Sequence, residues 1–164
     1  MSRAITGFLA AKTAVSAVPT SYTAGKVITL DWDGTEGTTT ILDDQRRQPP
    51  MQVLLDHLEM RFSGAGSVTA IEFLLTWDAA GDQLAFGPLT SAVTPAAGVT
   101  TAAVKGASFS FGDQLLDWNN KDAIAAKTSS GNAQQLFLHV KLTGATATLQ
   151  MARLWWKQAL RSEV

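Results

Sequence analysis

The chain has 164 residues, of which 46% are hydrophobic and only 16% charged; that length suits one domain with a sizeable core, and the charged share falls below the roughly 25% of an average soluble domain. With 13 basic against 14 acidic residues the formal net charge is -1, so no basic excess exists to neutralise phosphates, and a nucleic-acid partner is not expected. Cysteine is absent, which excludes disulfides and thiolate metal sites, and a surface this thin in charge is expected to be covered in part by other proteins.

Residues 1–25, with Pro19 and Gly25 near their end, read as an N-terminal arm or a loosely attached strand, and residues 26–164 as a single β-sandwich domain. The apolar run 7–18 is broken by Lys12, Thr13 and Ser16 and stops at Pro19. It is too short and too polar to span a bilayer, and with only Arg3 ahead of it the signal-peptide pattern is poor, so no membrane partner is expected. Residues 26–33 (KVITLDWD) and 38–42 follow as strands, and Arg46-Arg47 beside Asp43-Asp44 read as a solvated turn. After Pro49-Pro50, the apolar residues Met51, Leu54, Leu55, Leu58 and Phe62 fit helical spacing, yet residues 57–63 alternate with Leu58, Met60 and Phe62 on one face, which favours a strand from Val53.

A turn at 64–67 (GAGS) then leads into 69–77, where Ile71, Phe73, Leu75 and Trp77 alternate inward, the pattern of a hairpin. Residues 83–86 form a short block before Gly87-Pro88, residues 89–101 read as loop, and 107–111 alternate again through Phe109 and Phe111. Residues 120–127 (NKDAIAAK) have room for one or two helical turns. The clearest hairpin comes last: Leu136, Leu138, Val140 and Leu142 face inward, Gly144-Ala145 turns the chain, and Leu149, Met151 and Trp155 lie on the returning strand. Short strands at turn-separated spacing predict an all-β fold, an antiparallel β-sandwich of about eight strands in a jelly-roll-like arrangement with an N-terminal arm.

One motif points toward catalysis. Residues 27–35 (VITLDWDGT) resemble the nucleophile motif of the haloacid-dehalogenase-like phosphotransferases. That resemblance implies Asp31 attacking phosphorus, Asp33 handling the leaving-group proton and a magnesium ion shared between them. Thr76 in FLLT, Lys105 and the acidic segment 112–117 (GDQLLD) would complete the family's set. The family also requires a parallel sheet alternating with long helices. Between Trp77 and Lys105 the chain holds Gly81, Gly87, Pro88, Pro95 and Gly98 with no helical period, so Asp33-Gly34 reads instead as a turn between strands, and no enzyme is expected.

His57 and His139 both fall on the polar phase of a strand and read as surface residues without the convergent partners of a triad or a zinc site. The aspartates at 31, 33, 43, 44, 78, 82, 113, 117 and 122 sit mostly at expected turns; turn chemistry accounts for them as well as loop calcium would, so no metal or cofactor is assigned. Among the five tryptophans, Trp32, Trp77 and Trp155 are expected inward, whereas Trp118, beside Asn119-Asn120, and Trp156, opposite in phase to Trp155, are expected at the surface. Together with Phe8 and Leu9 of the arm, Trp118 and Trp156 are the predicted protein contacts.

Three pieces, LEMRFSGAGSVTAIEFLLTWDAAGD (58–82), FSFGDQLLDWNN (109–120) and QQLFLHVKL (134–142), resemble a recurrent pattern of small accessory virion proteins of tailed bacteriophages. The resemblance implies a sandwich or jelly-roll subunit that coats or cements a capsid, binds the major capsid protein, assembles as a homo-oligomer and resides at the capsid surface after synthesis in the host cytoplasm. A fibre or tail module that stacks sugars on Trp118 and Trp156 is the alternative. Under the arm reading, deleting residues 1–25 weakens docking without unfolding the domain.

Overall fold

The computed structural model describes residues 6–11, 14–23, 26–31, 52–95, 104–117 and 136–158. These residues form strands β1 (Thr6–Ala11), β2 (Val15–Val18), β3 (Ile28–Asp31), β4 (Gln52–Ser63), β5 (Ala70–Thr76), β6 (Leu84–Ala92), β7 (Thr94–Pro95), β8 (Lys105–Asp117), β9 (Leu136–Thr143) and β10 (Ala147–Gln158), and no α-helix. The order β6-β5-β9-β3-β1-β10-β4-β8-β7 is continuous, with β2 paired to β10 off this path. In the middle of this path β1 meets β3 through Ala10↔Asp31 and Ala11↔Leu30 alone. On either side lie two four-stranded leaves, β1-β10-β4-β8 and β3-β9-β5-β6, wholly antiparallel. This is the jelly-roll order of a nearly closed, barrel-like sandwich, as the alternation predicts.

The core sits between the leaves. Leu9, Leu55, Leu58, Phe62 and Leu154 from one leaf and Leu30, Ile71, Phe73, Leu75, Leu136 and Leu138 from the other are all without exposure and belong to one cluster. At the β6/β8 margin the leaves meet through edge-on rings: Phe86 lies 5.0 Å from Phe111 and Phe73 5.4 Å from Phe109 between centroids. Such pairs add about 0.5–1.5 kcal/mol each beyond the area they bury.

Several expectations change. The stretch after Pro50 is strand from Gln52, so the helical alternative is excluded. Of arm or attached strand, residues 6–11 and 15–18 are strand, and β1 lies between β3 and β10 with Leu9 in the core. A deletion through residue 25 would therefore remove an interior strand. The strand that carries the phosphotransferase-like motif ends at Asp31 and pairs antiparallel with both β1 and β9, so the parallel sheet that resemblance implies does not form among the described residues. Residues 38–42 and 120–127, with Trp32 and Asp33, lie outside the described residues.

Candidate functional site

Three of the four predicted contacts can be placed against this frame. Leu9 is core. Phe8, its neighbour in β1, points the other way and is half-buried on the outer face of the β1-β10-β4-β8 leaf. Trp118 lies outside the described residues. Trp156 is only 8% exposed and packs in the core cluster, while Trp155 is the outward, half-buried ring.

The exchange of the two tryptophans has a local cause. Leu149 pairs with Phe62 but Met151 pairs with Arg61, so Gln150 is an extra residue on β10. A bulge of this kind moves every later side chain to the opposite face. Ala147 and Leu149 point inward before it, and Ala152, Leu154 and Trp156 after it. A second bulge follows: Trp155 pairs with His57 and Trp156 with Leu55, which leaves Asp56 extra on β4. Opposite it on β8, Gly112 and Asp113 both take left-handed backbone with φ of 61°.

These irregularities gather one surface cluster. Phe8, Trp155 and His57 are consecutive cross-strand partners on β1, β10 and β4. The Phe8 and Trp155 rings stand 4.9 Å apart at 51°, and the His57 ring lies 5.7 Å from Trp155 at 16°. Trp155 Nε1 donates to Glu59 Oε2 at 3.1 Å. His57 is held between two carboxylates, with Nδ1 at 2.9 Å from Asp56 and Nε2 at 3.5 Å from Glu59. Beside it, Lys157 Nζ bridges Asp56 at 2.8 Å and Asp113 at 3.1 Å. The hydrogen bond from Lys157, followed by that from His57, holds the Asp56 carboxyl below its ordinary range, and Asp56 and then Asp113 raise the ammonium in return. The Arg153 guanidinium carbon lies 5.7 Å from the Phe8 ring centre. The result is an aromatic row on a sheet face with fixed charges along its border.

A second polar cluster is buried. His139 on β9 is 9% exposed, contrary to the expected surface position, because the turn after β5 covers it. Its Nε2 lies 2.9 Å from Thr76 Oγ1, and Thr76 donates to the Asp78 carbonyl at 2.6 Å. Threonine, histidine and aspartate in proximity invite a triad reading, which the geometry does not support. Thr76 has no exposure, its hydroxyl proton is engaged by a carbonyl, and the Asp78 carboxylate accepts from the Gln83 and Asp82 amides at 2.7 and 3.3 Å. Burial pushes the His139 imidazole below its ordinary range, partly offset by the Asp78 charge and backbone.

Sequence reasoning singles out Phe8 from the surface cluster and misses Trp155, His57, Glu59, Asp56, Lys157 and Asp113. A usable signal was present: Arg153 and Lys157 share the phase of Trp155, and charged residues on both sides mark that phase as outward. Among the described residues no group of three or more acidic or histidine side chains is placed to hold a metal ion. No helix among them is long and apolar enough to cross a membrane. No protein-family model matches the chain, and no curated protein matches it either.

Proposed function

We propose that this chain is a structural virion protein, a decoration or cement subunit that docks on the major capsid protein shell of a tailed phage through the outer face of the β1-β10-β4-β8 leaf. The observation that carries the reading is the Phe8–Trp155–His57 row bordered by Asp56, Glu59, Asp113 and Lys157. Aromatic anchors inside a charged rim match the anatomy of a protein contact, where a few large rings supply most of the binding energy and the rim sets register. A low share of charged residues and a jelly-roll scaffold, an architecture used in capsid and lectin domains, support it further. The subunit would act by burying surface between shell subunits as a symmetric homo-oligomer. A ligand that binds only the assembled state at 100 times its Kd stabilises that state by about 2.7 kcal/mol.

The sugar-binding alternative is weaker at the described residues, since Trp156 is core and Trp155 has a ring neighbour on each flanking strand. Co-sedimentation with empty heads tests the proposal. Trp155→Ala is expected to lower the bound fraction by at least about tenfold in affinity, the size of a modest interface anchor, with an unchanged circular dichroism spectrum. Full binding by Trp155→Ala, or glycan-array binding by the wild type with no head binding, would refute it.

A further inference from the structure

His139 is one of only two histidines in the chain, and the surface cluster makes no use of it. Its surroundings form a continuous chain of hydrogen bonds from β9 to the turn between β5 and β6. The single hydroxyl proton of Thr76 goes to the Asp78 carbonyl at 2.6 Å, so Thr76 Oγ1 is left to accept from His139 Nε2 at 2.9 Å, which assigns the neutral ring its proton at Nε2. The Asp78 carbonyl also accepts from the Gly81 amide at 3.3 Å, and the Asp78 carboxylate closes the turn on Gln83 at 2.7 Å. Trp77 N donates to Gln83 O at 2.8 Å, which ties the turn to the start of β6. Gly81 closes over the imidazole so tightly that a Cβ there would stand 3.3 Å from the ring's Cε1.

We propose that His139 and the turn at residues 77–83 form an acid-released latch, in which protonation of the imidazole at Nδ1 frees the turn from the outer face of β9. The second proton creates a cation beneath a turn whose nearest acceptors are already engaged. The Asp78 charge and backbone favour that cation, but burial outweighs both, and hydration is the available remedy. Hydrating the ring requires the turn to lift, because Gly81 and the Thr76–Asp78 link lie over it. Of the charged groups around the ring, Asp78 is the one that favours the imidazolium. Asp78 is held by the Asp82 and Gln83 amides, and Asp82 is exposed on the same turn. On the facing strand β5, Leu74 stands opposite the histidine, and Glu72 further along is paired with Lys141 of β9 at 2.9 Å and accepts from Tyr22. The β6 sequence carries no titratable residue, and β3 carries only Asp31, at the end that pairs with Ala10.

The test is an NMR titration of the full chain from about pH 8 to about pH 5, the window of histidine. A His57→Gln variant leaves one imidazole and so assigns the signal. The expected result is a His139 midpoint below the ordinary 6.5. Protection factors at the Gly81 and Gln83 amides should fall with the same midpoint, by up to about tenfold per pH unit, the limit for one proton, while β4–β10 amides hold theirs. His139→Phe should keep the turn protected throughout that range if it folds; the wild-type titration decides the matter if it does not. Turn amides that stay protected through the imidazole midpoint would overturn the latch, as would an imidazole that titrates at or above 6.5.

Discussion

Among the described glycines, Gly144 carries the strictest local demand. It sits at φ +103° in the turn between β9 and β10, and a Cβ added there would collide with the Ser67 carbonyl oxygen of the neighbouring turn. Gly64, at φ +65°, has nothing within 4 Å of its missing Cβ. The two positions separate backbone strain from steric exclusion. Gly64→Ala should cost only the left-handed conformation, about 1–2 kcal/mol, whereas Gly144→Ala should cost more than about 3 kcal/mol because overpacking adds to strain. Urea denaturation of both variants checks this, and equal losses would mean that the turn at Ser67 yields easily. The same contrast applies to the adjacent tryptophans. Trp156→Ala empties a core position and should cost about 3–5 kcal/mol, while Trp155→Ala loses half-exposed ring contacts worth about 1–2 kcal/mol.

Those two rings differ because of an element, not because of their own chemistry. In β10 the extra residue Gln150 reverses the faces of that strand, and in β4 the extra residue Asp56 does the same for its own. A strict period of two therefore reads Leu136 to Leu142 correctly, since β9 pairs with β5 without a shift, and misplaces Trp155 and Trp156. It likewise places Leu58, Met60, Phe62, Ile71, Phe73 and Leu75 inward, where they are. His139 was illegible for another reason: its phase is outward, but a turn folded over that face buries it, and alternation carries no information about what covers a sheet. The role of residues 6–11 was hidden because β1 finds its partners, β10 and β3, at long sequence separation or across another strand, and only pairing marks it as interior. Removal of residues 1–25 should consequently abolish the cooperative urea transition of the whole domain rather than merely weaken docking. A truncated chain that unfolds with the wild-type midpoint would show β1 to be dispensable.

For the molecule as a whole, acid is expected to act on different parts of the jelly roll in turn. The His139 imidazole is depressed by burial, so the unfolded chain binds a proton that the folded chain refuses. Stability from this group is therefore complete above the ordinary 6.5 and is lost as pH falls from there through the lower folded value. Asp56 and Glu72 act later. Hydrogen bonds from Lys157 and His57 depress the first, and those from Lys141 and Tyr22 the second. Their contribution is present above the ordinary carboxyl range, near 3.8 and 4.5, and disappears as pH falls through the lower folded values. Both carboxylates are accessible to water, so this second loss should be the part that salt weakens. Thermal midpoints measured between about pH 8 and about pH 3 should then decline in two stages. His139→Phe should remove the upper stage alone, and Lys157→Met with Lys141→Met should shrink the lower one. A single acid transition unaffected by His139→Phe would mean that the turn over β9 and the surface ion pairs fail together, and that the sandwich has no separately titrating part.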